Sequence, residues 1–164
     1  MVGAAANQAN ALADVPVVGQ FITTLTENMT GLDPTELSEI RTQSESMVAR
    51  LVPVVTGDDS GRYTDNEQAR ARDIQAQSKF WKWSDQVIGG LSELQSIQIR
   101  GEIRKSGGAA LQMFSGSPIS LVGPEGINDD GVNAWYETLI NRYGIPPEKA
   151  EDEIIKHIDL LRGN

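Results

Sequence analysis

The sequence predicts an all-α protein, extended, with one long central helix and a C-terminal helical hairpin. Three observations carry this. Helix-start signals recur at Asp14-Val15-Pro16, Asp33-Pro34-Thr35-Glu36 and Thr64-Asp65-Asn66-Glu67. Apolar residues return every three or four positions after each start. No proline interrupts residues 68–105.

Each element follows in order. Met1 to Ala13 is small, polar and weakly helical, too poor in apolar surface to offset its ordering entropy alone. Asp14 caps a short helix with Pro16 in its first turn, and Val18, Phe21, Ile22 and Leu25 form its apolar face. Thr30-Gly31 ends it. Asp33 caps the second helix, whose apolar positions are Leu37, Ile40, Met47, Val48 and Leu51. Pro53 is expected to stop or kink this helix, because it lacks an amide donor and crowds the preceding turn.

The third start opens a helix expected to run from 64 to 105, whose proline-free stretch 68–105 alone would span about 57 Å at 1.5 Å per residue. Its stripe is Ile74, Phe80, Trp81, Val87, Ile88, Leu91, Leu94 and Ile97. Gly89-Gly90 is the favoured place for a break or kink, since each glycine costs up to about 1 kcal/mol against alanine, and a helical hairpin bent there is the alternative to one long helix. Ser106-Gly107-Gly108 ends the helix, and residues 109–127 are expected to be a Gly/Pro connector in which Ile119, Leu121 and Val122 can form a strand. Residues 128–164 predict the hairpin, a module on its own connector. Asn128 caps its first helix, Gly144 terminates it, Ile145-Pro146-Pro147 turns the chain, and Ala150, Ile154, Ile158 and Leu161 face the core from the second. The domain division expected is thus 1–108, 109–127 and 128–164.

Composition narrows the chemistry. The chain has 164 residues, no cysteine and one histidine, so disulfides, thiolate metal sites and cysteine nucleophiles are excluded and a Ser-His-Asp triad has almost no material. No run approaches about 18 apolar residues, so no membrane-spanning helix is expected. Met1 to Ala13 lacks the basic start of a secretory signal. Net charge is -9, which disfavours a protein that coats DNA with its whole surface. The middle of the chain is neutral, its cations interleaved with anions, as on a charge-laced helix.

Several constellations invite a functional role. The acidic loop from Asp58 to Glu67 departs from calcium-loop spacing and reads as a solvated turn before a capped helix. Lys79, Trp81, Lys82 and Trp83 interleave cations with aromatics, as a single-stranded nucleic-acid module would. On one helix Trp81 and Trp83 point about 200° apart, so one faces the core and the other needs a second surface. Trp81, Trp83, Val87, Leu91 and Leu94 are therefore expected to form an assembly interface. His157, near a helix C-terminus, reads as a contact with the helix dipole. Glu151/Asp152 and Asp129/Asp130 look exposed and lack an apolar pocket for acid–base work. Neither Gly107-Gly108 nor Gly123-Pro124-Glu125-Gly126 has the lysine and spacing of a phosphate loop. No catalytic, cofactor-binding or metal-binding residue is assigned.

The segment from Met47 to Glu67 resembles an element of tailed-bacteriophage internal virion proteins, the DNA-ejection proteins and the C-terminal parts of tape-measure or transglycosylase-bearing ejection proteins. In these an apolar helix ends in an acidic Ser-Gly turn and a capped helix follows. The matching positions are Asp59, Ser60, Gly61, Thr64 and Glu67. Thr56-Gly57-Asp58-Asp59 departs from the arginine and glutamate that often precede the Ser-Gly pair. The resemblance covers 47–67, extends loosely over 1–105, and leaves the hairpin after 125 uncovered. It implies a non-enzymatic virion component of the capsid or tail interior, made in the host cytoplasm, that helps form a conduit for the genome. The implied partners are further copies of itself, the portal, tail or ejection proteins of the particle, and transiently the phage DNA. Negative net charge suits a lining past which DNA slides. A head–tail connector or adaptor is the structural alternative, and the nucleic-acid module is the alternative from another class.

Overall fold

The structure, a computed structural model, describes residues 15–26 and 34–163. Among them are seven helices and one two-stranded ribbon, with 76% of residues helical, so the all-α class is as expected. The helices are α1 (15–26), α2 (Pro34–Thr56), α3 (Asp65–Ser78), α4 (Ser84–Ser106), α5 (Gly108–Ser115), α6 (Asp129–Asn141) and α7 (Pro147–Leu161). Strands β1 (Val122–Gly123) and β2 (Gly126–Ile127) pair antiparallel, Val122 opposite Ile127. Met1 to Ala13, the caps expected at Asp14 and Asp33, the helix end at Thr30-Gly31 and the side chain of Leu37 lie outside the described residues.

Two adjoining hydrophobic clusters build the core, and α4 belongs to both. The first gathers Val18, Ile22 and Leu25 of α1, Val48, Leu51, Val52 and Val55 of α2, Ala71 and Ile74 of α3, and Val87 to Ile97 of α4. The second gathers Ile99 and Ile103 of α4, Leu111 and Phe114 of α5, Trp135 and Leu139 of α6, and Ile154 and Ile158 of α7. The C-terminal hairpin therefore shares its core with α4 and α5 and does not stand as a module apart.

The chain approaches itself most closely where glycines permit. A Cβ on Gly19 of α1 would lie 1.8 Å from the Arg142 carbonyl oxygen, so α1 meets the α6–α7 turn backbone to backbone. That turn needs Gly144 at φ +67°, a left-handed conformation open to glycine.

Four expectations are corrected. Pro53 does not stop α2, which continues to Thr56 and ends where the Gly57 amide donates to the Pro53 carbonyl at 2.9 Å. Pro53 is exposed, and buried Leu51, Val52 and Val55 hold the last turn against the core despite the missing donor. The 64–105 helix is not continuous: α3 and α4 are separated by residues 79–83, and α4 passes unbroken through Gly89-Gly90. The 109–127 connector holds a helix, α5, whose Leu111 and Phe114 are buried, and the β1–β2 ribbon. Asn128 sits at the N-cap of α6, but its side chain makes no cap bond and instead donates to the Ser120 carbonyl at 3.0 Å.

Candidate functional site

Residues 79–83 carry the most conspicuous surface feature, and several contacts fix their backbone. The guanidinium of Arg41, on α2, donates to the Lys79 carbonyl. The Phe80 amide donates to Gln77 O at 2.9 Å. Gln86, in the first turn of α4, reaches back so that its Oε1 accepts from the amides of Lys82 (2.9 Å) and Trp83 (3.2 Å). Gln86 thus supplies the reaching-back half of a capping box, satisfying the amides just ahead of the helix, while tryptophan offers no side-chain acceptor for the first turn.

Trp81 anchors the link from below. Its ring is 7% exposed and rests on α4 at Gly90, where an added Cβ would fall 2.3 Å from ring carbon Cζ2. Its neighbours turn the other way: Phe80 is 75% exposed and Trp83 67%. Lys79 and Lys82 are exposed beside them. A cleft of about 400 Å³ adjoins the link, bordered by Phe80, Asp85, Gly89, Lys149 and the Arg70–Glu93 ion pair, whose Nε–Oε1 distance is 2.7 Å. Its charges are mixed in sign.

This changes the expected assembly interface. Trp81, Val87, Leu91 and Leu94 are all buried in the chain's own first cluster, so they face no partner; Trp83 alone of the five is exposed. The interface expectation assumed one continuous helix with two apolar faces. The break at 79–83 lets the chain cover one face itself. Phe80, counted as core from its spacing, is the residue that joins Trp83 outside.

The turn motif serves the fold. Asp58 Oδ1 accepts from the Ser60 amide at 2.8 Å, and Gly61 takes φ +78°. Thr64 Oγ1 accepts from the Glu67 amide at 3.1 Å while Glu67 Oε1 accepts from the Thr64 amide at 3.0 Å, the capping box expected there. Asp59 lies exposed.

Behind the turn runs an ionic network around the buried Arg62, Glu67, Glu102 and Glu153 that the sequence did not announce. Arg62 bonds Asp58 (3.1 Å) and Glu102. Glu67 takes hydrogen bonds from Arg104 and from Arg100 (3.2 Å), and Arg100 continues to Glu153 of α7 at 2.8 Å. Burial alone would raise the Glu67 carboxyl, but the bonds from Arg104 and the Thr64 amide outweigh it and hold it below its usual range. Burial raises Glu102, with Arg62 only partly offsetting it. The arginines engage these carboxylates, so the network ties the turn, α4 and α7 together.

His157 also departs from expectation. It is fully buried and makes no surface contact with a helix dipole. Its Nδ1 accepts from the Trp135 indole N–H at 2.9 Å, and Glu153 Oε2 lies 3.5 Å from Nε2. Burial, reinforced by the charges of Arg100 and Lys156, pushes its pKa down to about 3, so the ring is neutral. Glu151, Asp152, Asp129 and Asp130 are exposed, as read from the sequence. Among the described residues no three His, Asp or Glu side chains are placed to hold a metal ion, and no helix is long and apolar enough to cross a membrane.

No protein-family model, curated protein or solved structure matches the chain. The fold and the exposed link define a helical protein with a fixed aromatic platform.

Proposed function

We propose that the chain is a non-catalytic structural subunit of a tailed-phage virion, of the internal or ejection kind, and that it docks through the Phe80/Trp83 platform. The observation that carries the docking role is the exposure of two large aromatics within four residues, on a link held at Lys79, Trp81, Lys82 and Trp83. Aromatic residues cluster at the energetic centres of interfaces. A fixed backbone lowers the ordering cost of binding. The virion assignment is supported by the Met47–Glu67 resemblance. Mass spectrometry of purified particles of the encoding phage, before and after DNA release, tests it. The protein is expected in the particle; its absence overturns the assignment.

A further inference from the structure

The platform has a counterpart elsewhere on the same chain. Helix α7 packs its Ala150, Ile154, His157 and Ile158 side inward. Its outer side carries Glu148, Glu151, Asp152 and Asp159 around Ile155, which is 58% exposed. Spacings of three, four and seven residues put these groups on one helix face. The outer face of α7 is thus an apolar knob in a mainly acidic rim, with exposed Lys149 and Lys156 along one edge. The platform at 79–83 is an aromatic pair with a basic rim, Lys79 and Lys82. No ion pair among the described residues engages these two lysines or Glu151, Asp152 and Asp159.

From this complementarity we infer that the platform receives the outer face of α7 from a second copy of the chain, Ile155 against Phe80 and Trp83, the carboxylates against Lys79 and Lys82. This rests on the docking role given above and adds the partner. Two different patches meet, so two copies can either exchange both contacts about a two-fold axis or join head to tail into a ring or filament. A protein face suits the platform better than single-stranded nucleic acid does. Two exposed lysines with Asp85 close by neutralise few phosphates, whereas they suffice to pair two of the carboxylates that flank one exposed isoleucine. Phe, Trp and Ile bury a few hundred Å² together, less than the roughly 800 Å² per partner of a standard interface. Self-association is therefore expected on the order of 10–100 µM.

Sedimentation velocity of the full chain tests this with two variants. Phe80→Ser/Trp83→Ser removes the platform, and Glu151→Lys/Asp152→Lys reverses the α7 rim. All four positions are exposed, so both variants should melt as the wild type does. The wild type is expected to associate as its concentration rises, as a closed dimer or a longer series, and to dissociate as salt rises from about 0.05 M to about 0.5 M. Each variant alone is expected to be monomeric. Mixed in equal amounts they should give a dimer that stops at two copies, because only one intact platform and one intact α7 face remain. A wild-type chain that stays monomeric, variants that associate as it does, or a mixture without dimer would each overturn the inference. So would tight binding of a short oligo-dT that Phe80→Ser/Trp83→Ser abolishes. A monomeric wild type whose platform is still needed in particles removes the self-contact and leaves the docking role standing; a chain absent from particles removes the virion assignment instead.

Discussion

The indole of Trp81 occupies the space that a side chain at Gly90 would fill. Tyr63 does the same at Gly101, where an added Cβ would lie 2.2 Å from the ring. The two glycines are eleven residues apart, about three turns, so they lie on one face of α4. Tyr63 precedes α3 and Trp81 follows it. Helix α3 is thereby seated antiparallel on α4 by an aromatic ring at each end.

Gly90→Ala should lower stability by about 1–3 kcal/mol, the usual cost of overpacking, despite alanine's better helix propensity. Gly89→Ala should instead raise it by up to about 1 kcal/mol, since its Cβ would meet only the Lys149 amine at 3.8 Å. Urea unfolding of the two variants reads the opposite signs.

The tryptophans should separate in the same way. Trp81→Ala removes a buried ring and should cost about 3–5 kcal/mol. Trp83→Ala removes an exposed one and should stay within about 0.5 kcal/mol of the wild type. Equal losses would contradict the assignment of one ring to the core and the other to the surface.

The helical faces of α1 and α2 and the Thr64/Glu67 capping box were legible because they are local: period and cap chemistry lie within a few residues. The α3–α4 break was not. Lys79 to Trp83 contains no glycine or proline, and the break is fixed by contacts made in the folded chain, Trp81 on Gly90 and Arg41 on the Lys79 carbonyl. The glycine pair that looked like a hinge is half packing notch. Helix α5 was hidden because glycines bracket a short apolar run. The Arg62–Glu102 and Trp135–His157 contacts span 40 and 22 residues, and no local pattern signals them.

The ionic network predicts unequal costs for arginine removal. Arg100→Ala takes a partly buried partner from the buried Glu67 and Glu153; Glu67 keeps Arg104, so the cost should be about 3 kcal/mol, the low end for a broken buried pair. Arg70→Ala breaks the half-exposed pair with Glu93 and should cost less than about 1 kcal/mol. Thermal melts of both variants check the contrast.

Stability should fall as pH falls below about 6.5. The unfolded imidazole of His157 takes up a proton near 6.5, and the folded one only near 3. Between those values the unfolded state binds more protons, so this histidine removes up to about 1.4 kcal/mol per pH unit of acidification. Glu67 and Asp58, both held below their usual values, add losses of the same sign under their ordinary pKa values of 4.5 and 3.8. Glu102, raised, acts in the opposite sense. Chemical denaturation from pH 7 to pH 4 should show the slope, and His157→Gln should flatten it.

The central claim is that the chain hides Trp81 for itself and holds Phe80 and Trp83 out for others. The most direct measurement is quantitative mass spectrometry of particles produced with the Phe80→Ser/Trp83→Ser chain, alongside its melting temperature. A wild-type melting temperature with the protein missing from the particles is the predicted result. Incorporation at the wild-type level would contradict the account.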